Sequence, residues 1–423
     1  MPEQHDIHYL RHVTAMGQNR PVVSTQAIYT QSGIKLLDVG IRISGALYDK
    51  LVAQTLLRPI DECLSVEDAV SGTSLRHDLE AMLLEIENSG GPKASSKQRE
   101  RVLKVCVCVP LPPLLAFKLT VMREQRPQIY RHTLQVVLVA VFLAIAAGQT
   151  QRQMTLAAAA ALFHDMGQLQ IDPAIADDAR HLDENQLRYF DTHPIAAYLI
   201  LKAIPELDPS VAIAVLNHHE RLDGSGYPRR MTGNAIDSLG QLLAVADVGA
   251  AILWRKKSAA YRPLSMALRF NQGKLNAQFG QTLLDFVWSL GNNQPDIVTT
   301  TALPLPDSFK KLSGAMKELH SITSDLPAGS ALLPLQTLTQ ERLDQLKHQL
   351  ASAGVDLDQD VASFADPNAD VQWIAEMHCI FNEAIWQLRA VARELRRRAR
   401  DLPIEDDAGR RTLFAQLEKI EQA

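Results

Sequence analysis

The sequence predicts a mainly α protein, a helical bundle preceded by a small α+β segment and followed by further helices. Three observations carry that expectation. From Gln128 to about Gln294 apolar residues recur at three- and four-residue spacing, with little strand signal outside a loop around Gly224 and Gly226. Roughly the first 90 residues instead alternate short apolar and polar groups around glycines, the pattern of strands and turns. Near the far end Val371, Ile374, His378, Phe381, Ile385, Leu388, Ala392 and Leu395 step by three and four, as a helical seam does.

In the lead segment, Ala27 to Leu37 and Val39 to Ser44 read as strands and turns. His5, His8 and His12 fall in what should be a mobile terminus without a metal role. Gly90, Gly91 and Pro92, followed by Ala94, Ser95 and Ser96, form a loop-like junction and place a first, regulatory domain at 1–95. Val102 to Val109 (VLKVCVCV) fits a strand or a buried helix equally well. A helical domain with the chemistry is expected over 96–297. Its most apolar stretch, Leu134 to Ala147, contains Gln135 and falls short of the roughly 20 residues that span a bilayer, so it reads as a buried helix. Residues 297–335, rich in Pro, Ser and Thr, read as a partly ordered connector, which with the helices after it makes a third region at 298–423. The apolar seam there would serve packing within one chain first and a homodimer second.

A chain of 423 residues with 46% hydrophobic content can bury more than one core. Its net charge of −5 and pI near 6.2 provide no global field for nucleic-acid backbones or acidic lipid. The arginines at 393, 396, 397, 398 and 400 share a helix with Glu394 and read as a solvated face, so no nucleic-acid partner is expected. Cys63, Cys106, Cys108 and Cys379 are too few and scattered for a disulfide framework, and the opening residues lack an apolar leader. A reducing cytoplasm is the expected setting, with no membrane partner.

Histidines and aspartates recur through the helical region: His132, His164 with Asp165, His193, His218 with His219, and Asp247. Each is costly to bury alone in an apolar helix, and a metal cluster satisfies all of them together. Asp165 matters most, because a carboxylate has two oxygens and can bridge two cations while each imidazole gives one nitrogen. Two ions about 3.5–4 Å apart can share a water, lower its pKa and neutralise the charge that builds on an attacked phosphoryl group. That chemistry is phosphodiester hydrolysis without a protein nucleophile.

Phe163 to Gln168 (FHDMGQ) and Asn217 to Pro228 (NHHERLDGSGYP) resemble, the second nearly letter for letter, the two signatures of the HD-GYP family of HD phosphohydrolases. The resemblance extends from about Arg131 to Arg262. It implies an HD-type helical bundle in which His132, His164, Asp165 and Asp247 hold one metal, with Asp165, His193, His218 and His219 around the other. It further implies two divalent ions, iron or manganese, and hydrolysis of cyclic di-GMP to linear pGpG or onward to GMP by a metal-bridging hydroxide. The loop through Gly226, Tyr227 and Pro228 would border the substrate and offer a docking surface to diguanylate cyclase domains.

Three positions depart from the family pattern. Gln168 stands where many relatives carry lysine, and Gln241 where arginine is frequent. Both changes remove a positive charge, and a lost transition-state donor costs on the order of 100-fold in rate. Gln128 replaces the glutamate of three-metal relatives, which favours two metals. Arg221, Lys257 and Arg262 are the candidate replacement cations, with Tyr261 and Arg262 resembling the family's Tyr-Arg pair. The alternative function is a catalytically weak domain that binds cyclic di-GMP as a receptor or docks a partner.

Overall fold

The computed structural model describes residues 4–88, 95–176, 182–256, 261–289, 304–324, 332–365, 369–402 and 407–422. Most of the Gly90–Ser96 junction, and Lys257, lie outside them. The chain opens on a helix, α1 (Gln4–Asn19), not on a mobile terminus: Tyr9, Leu10, Val13 and Met16 fall on one face and are buried, and His12 goes in with them. Two short antiparallel pairs follow. β1 (Val22–Ser24) pairs with β4 (Leu64–Val66), and β2 (Ile28–Tyr29) with β3 (Lys35–Leu37). Val39 to Ser44 forms no strand, contributing a single bridge from Arg42 to Val23. The segment ends in α2 (Gly72–Asn88).

The bundle begins with α3 (Ser96–Val107), which resolves the VLKVCVCV ambiguity in favour of helix: a Ser95–Gln98 capping box starts it, and Val102, Leu103, Val105 and Cys106 are buried. Prolines at first-turn positions start α4 (Pro113–Gln125) and α5 (Pro127–Ala146), and a Thr150–Gln153 capping box starts α6 (Gln151–Phe163). The central α5 is 20 residues long, so by length and composition it could cross a membrane, contrary to the sequence expectation of a shorter stretch. Here other helices bury most of its surface, with α6 on one side and α10 on another.

The bundle continues through α7 (Glu184–Phe190), α8 (His193–Lys202), α9 (Pro209–Asn217), α10 (Ser238–Lys256), α11 (Tyr261–Phe270) and α12 (Ala277–Ser289). One apolar core runs from Tyr9 of α1 to Val287 of α12, so the lead segment and the bundle are packed together.

The described part of the expected connector is largely a helix, α13 (Leu305–Ser324). Leu305, Phe309, Leu312, Met316 and Leu319 repeat at helical spacing and are buried, and this periodicity outweighs the Pro and Ser content. With α14 (Leu333–Ser352), α15 (Val371–Arg400) and α16 (Asp407–Gln422) it forms a second core. The α15 seam packs within the chain at Phe381, Leu388, Ala392 and Leu395, while Val371 is exposed. The two cores meet at α11: Leu264 and Ala267 belong to the first, Met266 and Phe270 to the second.

Candidate metal centre

Local helix ends deliver the histidines. His164 caps the C-terminus of α6, His218 caps α9 with His219 next, and His193 is the first residue of α8. His132 and Asp247 project from within α5 and α10. In each of three imidazoles Nδ1–H donates to the carbonyl three residues earlier: His164 to Ala161 at 2.8 Å, His193 to Phe190 at 2.8 Å, His218 to Val215 at 2.6 Å. That bond commits Nδ1 and leaves each Nε2 facing inward.

The inward atoms form two groups. His132, His164 and Asp165 offer ligand atoms within 4.8 Å of one another, and so do His193, His218 and His219. Asp165 sits between them: Oδ2 is 3.3 Å from His164 Nε2, and Oδ1 is 3.5 Å from His193 Nε2. Asp247 Oδ1 lies 2.9 Å from His132 Nε2, closing the first group.

A close approach makes this arrangement possible. A Cβ on Gly167 would lie 2.1 Å from the His193 carbonyl oxygen, so only glycine lets the turn after Asp165 press against α8.

The donor set fits divalent cations. Among the described residues His164 Nε2 is buried with only the 3.3 Å approach of Asp165 Oδ2, and His193 Nε2 lies 3.1 Å from His219 Nε2 and 3.4 Å from His218 Nε2. Lone pairs converging at such distances are mutually unsatisfied unless an electrophile or a proton lies between them. Burial disfavours charge throughout, and neighbours decide the outcome. It lowers His164, but Asp165 outweighs it and raises the imidazole to about 9. Burial pushes Asp165 up, yet His164 and then His193 hold it well below the usual carboxylate range. Asp247 behaves likewise, held at about 2 by His132 against burial, and His132 is raised in return. His218 drops to about 3 through burial and the neighbouring His164 and His193, and burial also lowers His193 and His219. The second group is therefore three neutral imidazoles, the form that ligates metals.

The Gly224–Pro228 loop closes one side. Asp223 Oδ1 accepts from the Ser225 backbone N–H at 3.0 Å and hydroxyl at 2.6 Å. A Cβ on Gly226 would fall 2.4 Å from the Arg221 nitrogen, so the backbone doubles back on the His-His-Glu turn. Tyr227 stacks on His219, with ring centroids 4.7 Å apart at 26°, and a cis bond joins it to Pro228. Buried Glu220 accepts from the Arg229 and Met231 N–H groups at 2.6 and 2.9 Å and staples the exit of the loop.

The remaining sequence candidates divide. Gln168 is buried in the turn after Asp165. Arg221 lies among the ligand turns, donating to the His218 and Glu220 carbonyls at 3.1 and 2.8 Å. Tyr261 instead packs on Trp288, and Arg262 reaches the Gln372 carbonyl at 3.5 Å. Gln241 is a structural tie, donating to the Ile236 carbonyl at 2.8 Å and accepting from Asn276 at 2.7 Å. Gln128 is exposed.

The arginine run is not a solvated face. Arg396 is 1% exposed, bound to the Leu182 carbonyl and to Glu421. Arg398 donates to the Gly224 carbonyl at 3.1 Å, and Arg397 stands over the Tyr227 ring at 5.0 Å. Arg342 of α14 adds an ion pair to Asp223 at 3.0 Å, and Arg230 pairs with Asp401. Sequence reasoning missed these contacts, although three consecutive arginines on a helix with a long apolar seam must place at least one of them toward the packed side.

Residues 119–270 match the family model of the HD domain. A 3'3'-cGAMP-specific phosphodiesterase from Vibrio cholerae is 34% identical over 119 residues, covering 28% of this chain and 25% of that protein. The cyclic di-GMP phosphodiesterase response regulator RpfG from Xanthomonas campestris is 35% identical over 107 residues, covering 25% of this chain and 28% of its own length. A cyclic di-GMP phosphodiesterase from Thermotoga maritima is 32% identical over 142 residues, 33% of this chain and 38% of that protein. This chain thus spans between 25% and 38% of these three relatives. The bundle is an HD domain. Its paired signatures and these relatives liken that domain to the HD-GYP family.

Proposed function

We propose that this chain is a phosphodiester hydrolase that uses two divalent ions, iron or manganese, to cut cyclic di-GMP to linear pGpG. The observation that supports this most directly is the division of the two Asp165 oxygens between two imidazole groups, as a bridging carboxylate requires. His132, His164, Asp165 and Asp247 would hold one ion, and Asp165, His193, His218 and His219 the other. Bound there, the ions supply positive charge against the phosphoryl oxygens and a water of lowered pKa. The chain's own part is preorganisation. Backbone carbonyls commit the Nδ1 atoms of three imidazoles, Asp165 and Asp247 stay ionised, and Tyr227 shields the His219 side from solvent. Exposed Gln128 offers no carboxylate for a third ion, which favours the linear dinucleotide over GMP as product.

The test is to purify the protein anaerobically, count its metals and follow cyclic di-GMP and 3'3'-cGAMP by chromatography with iron or manganese present. Two metals and a linear product are expected, and Asp165→Ala should lose both. Hydrolysis retained in that variant would refute the reading. A second reading, a metal-bearing receptor for the dinucleotide, is favoured by the neutral side chains at 168 and 241. Two metals and tight binding without turnover would assign it. Docking of a diguanylate cyclase domain on the Tyr227 loop belongs to either reading, and the partner would meet a loop edge already held by α15.

A further inference from the structure

We propose that Arg397 and Arg400 of α15 form an anion subsite at the mouth of the metal centre that receives a phosphate of the dinucleotide, so that the C-terminal helix completes the substrate site. The inference rests on the hydrolase reading of that site and deepens it.

Anchors on either side set the position of α15. Arg396 holds the Leu182 carbonyl through two contacts of 3.2 Å and Glu421 at 2.8 Å. Arg398 holds the Gly224 carbonyl and Glu394. Their hydrogen bonds are spent on structure. Arg397, between them, is loosely engaged: 3.8 Å from Asp191, 3.5 Å from the Ser225 carbonyl, and over the face of Tyr227. Arg400 lies one turn further on the same face, and its Nε and Nη2 are buried without a hydrogen-bond partner among the described residues.

Arg397 touches the segments that carry the candidate ligands. Asp191 precedes His193 by two residues, and the ring under Arg397 is the one stacked on His219. Unspent guanidinium donors are costly to bury, and a phosphate is the group whose oxygens match their fork. Asp191 offsets one of the two charges, and Arg221 adds another cation, which among the described residues donates to the His218 and Glu220 carbonyls. The mouth therefore keeps a net positive charge suited to the phosphodiester not being cut. It stands in for the cations absent at Gln168 and Gln241.

The experiment uses the full chain loaded with manganese. Metal count, kcat and KM for cyclic di-GMP, and the Kd of its non-hydrolysable phosphorothioate analogue are measured for the wild type, Arg397→Gln, Arg400→Gln and Asp191→Asn. Each arginine variant should keep its metals and most of its kcat while KM and Kd rise about 10- to 100-fold. Asp191→Asn should tighten the analogue by about 3- to 10-fold, a gain that misfolding cannot produce. Wild-type Kd in both arginine variants, or weaker binding by Asp191→Asn with metals intact, overturns the subsite. Analogue binding that needs the arginines in a wild type without turnover keeps the subsite and overturns the hydrolase. Turnover with arginine-independent affinity does the reverse.

Discussion

Metal uptake by this site should expel a proton, and the amount follows from His164. Its imidazole is raised to about 9 by Asp165 in the metal-free protein, so at about pH 7.5 it is almost fully protonated. Only the neutral ring can ligate, so filling the first group releases about one proton from His164 and a further fraction from His132, which Asp247 also raises. His218, at about 3, and the lowered His193 and His219 release none. Asp165 and Asp247 are already ionised. Affinity for the first ion should therefore climb about tenfold per pH unit as pH rises toward about 9 and then level off. Titration calorimetry of manganese into metal-free protein, in two buffers of different ionisation enthalpy, reads the proton count directly. No proton released near pH 7.5, or an affinity flat between about pH 6.5 and 8.5, would refute the His164–Asp165 pairing.

The two glutamines make opposite predictions. Gln168→Lys places a cation in the turn beside Asp165 and should raise turnover by on the order of 100-fold, measured at equal metal content. Gln241→Arg breaks ties to Ile236 and Asn276, and should lower the melting free energy by about 1–2 kcal/mol in denaturant titrations without gain in rate. Gly167→Ala drives a methyl into the His193 carbonyl, so α8 must retreat from Asp165. A loss of about 1–3 kcal/mol together with a fall in metal content is expected, and a fully loaded, equally stable variant would contradict the close approach.

The candidate ligands were legible as a group because adjacent His-Asp and His-His pairs in apolar helices are expensive without a purpose, and the structure brings all seven residues together. The bundle was legible from its period. What escaped depended on contacts distant in sequence. The lead helix α1 was hidden by polar residues around a narrow apolar face, and α13 by Pro and Ser that its periodic leucines outweigh. The arginines of α15 looked solvated because Glu394 shares their helix, whereas Leu182, Gly224 and Glu421, which bury or bind them, lie at least 25 residues from the arginines they contact. Asp191 carried no motif at all.

Helix α11 gives the chain a shared fate. Because Leu264 and Ala267 serve one core and Met266 and Phe270 the other, neither can melt without stripping a wall from its neighbour. Lys274 bonded to Gln387 at 2.6 Å and Arg342 paired with Asp223 reinforce the joint. Free energy gained from ions bound at the histidines would then spread through the whole cooperative unit. Trp373, stacked on Phe364 in the second core, becomes a reporter of occupancy at a site it never touches.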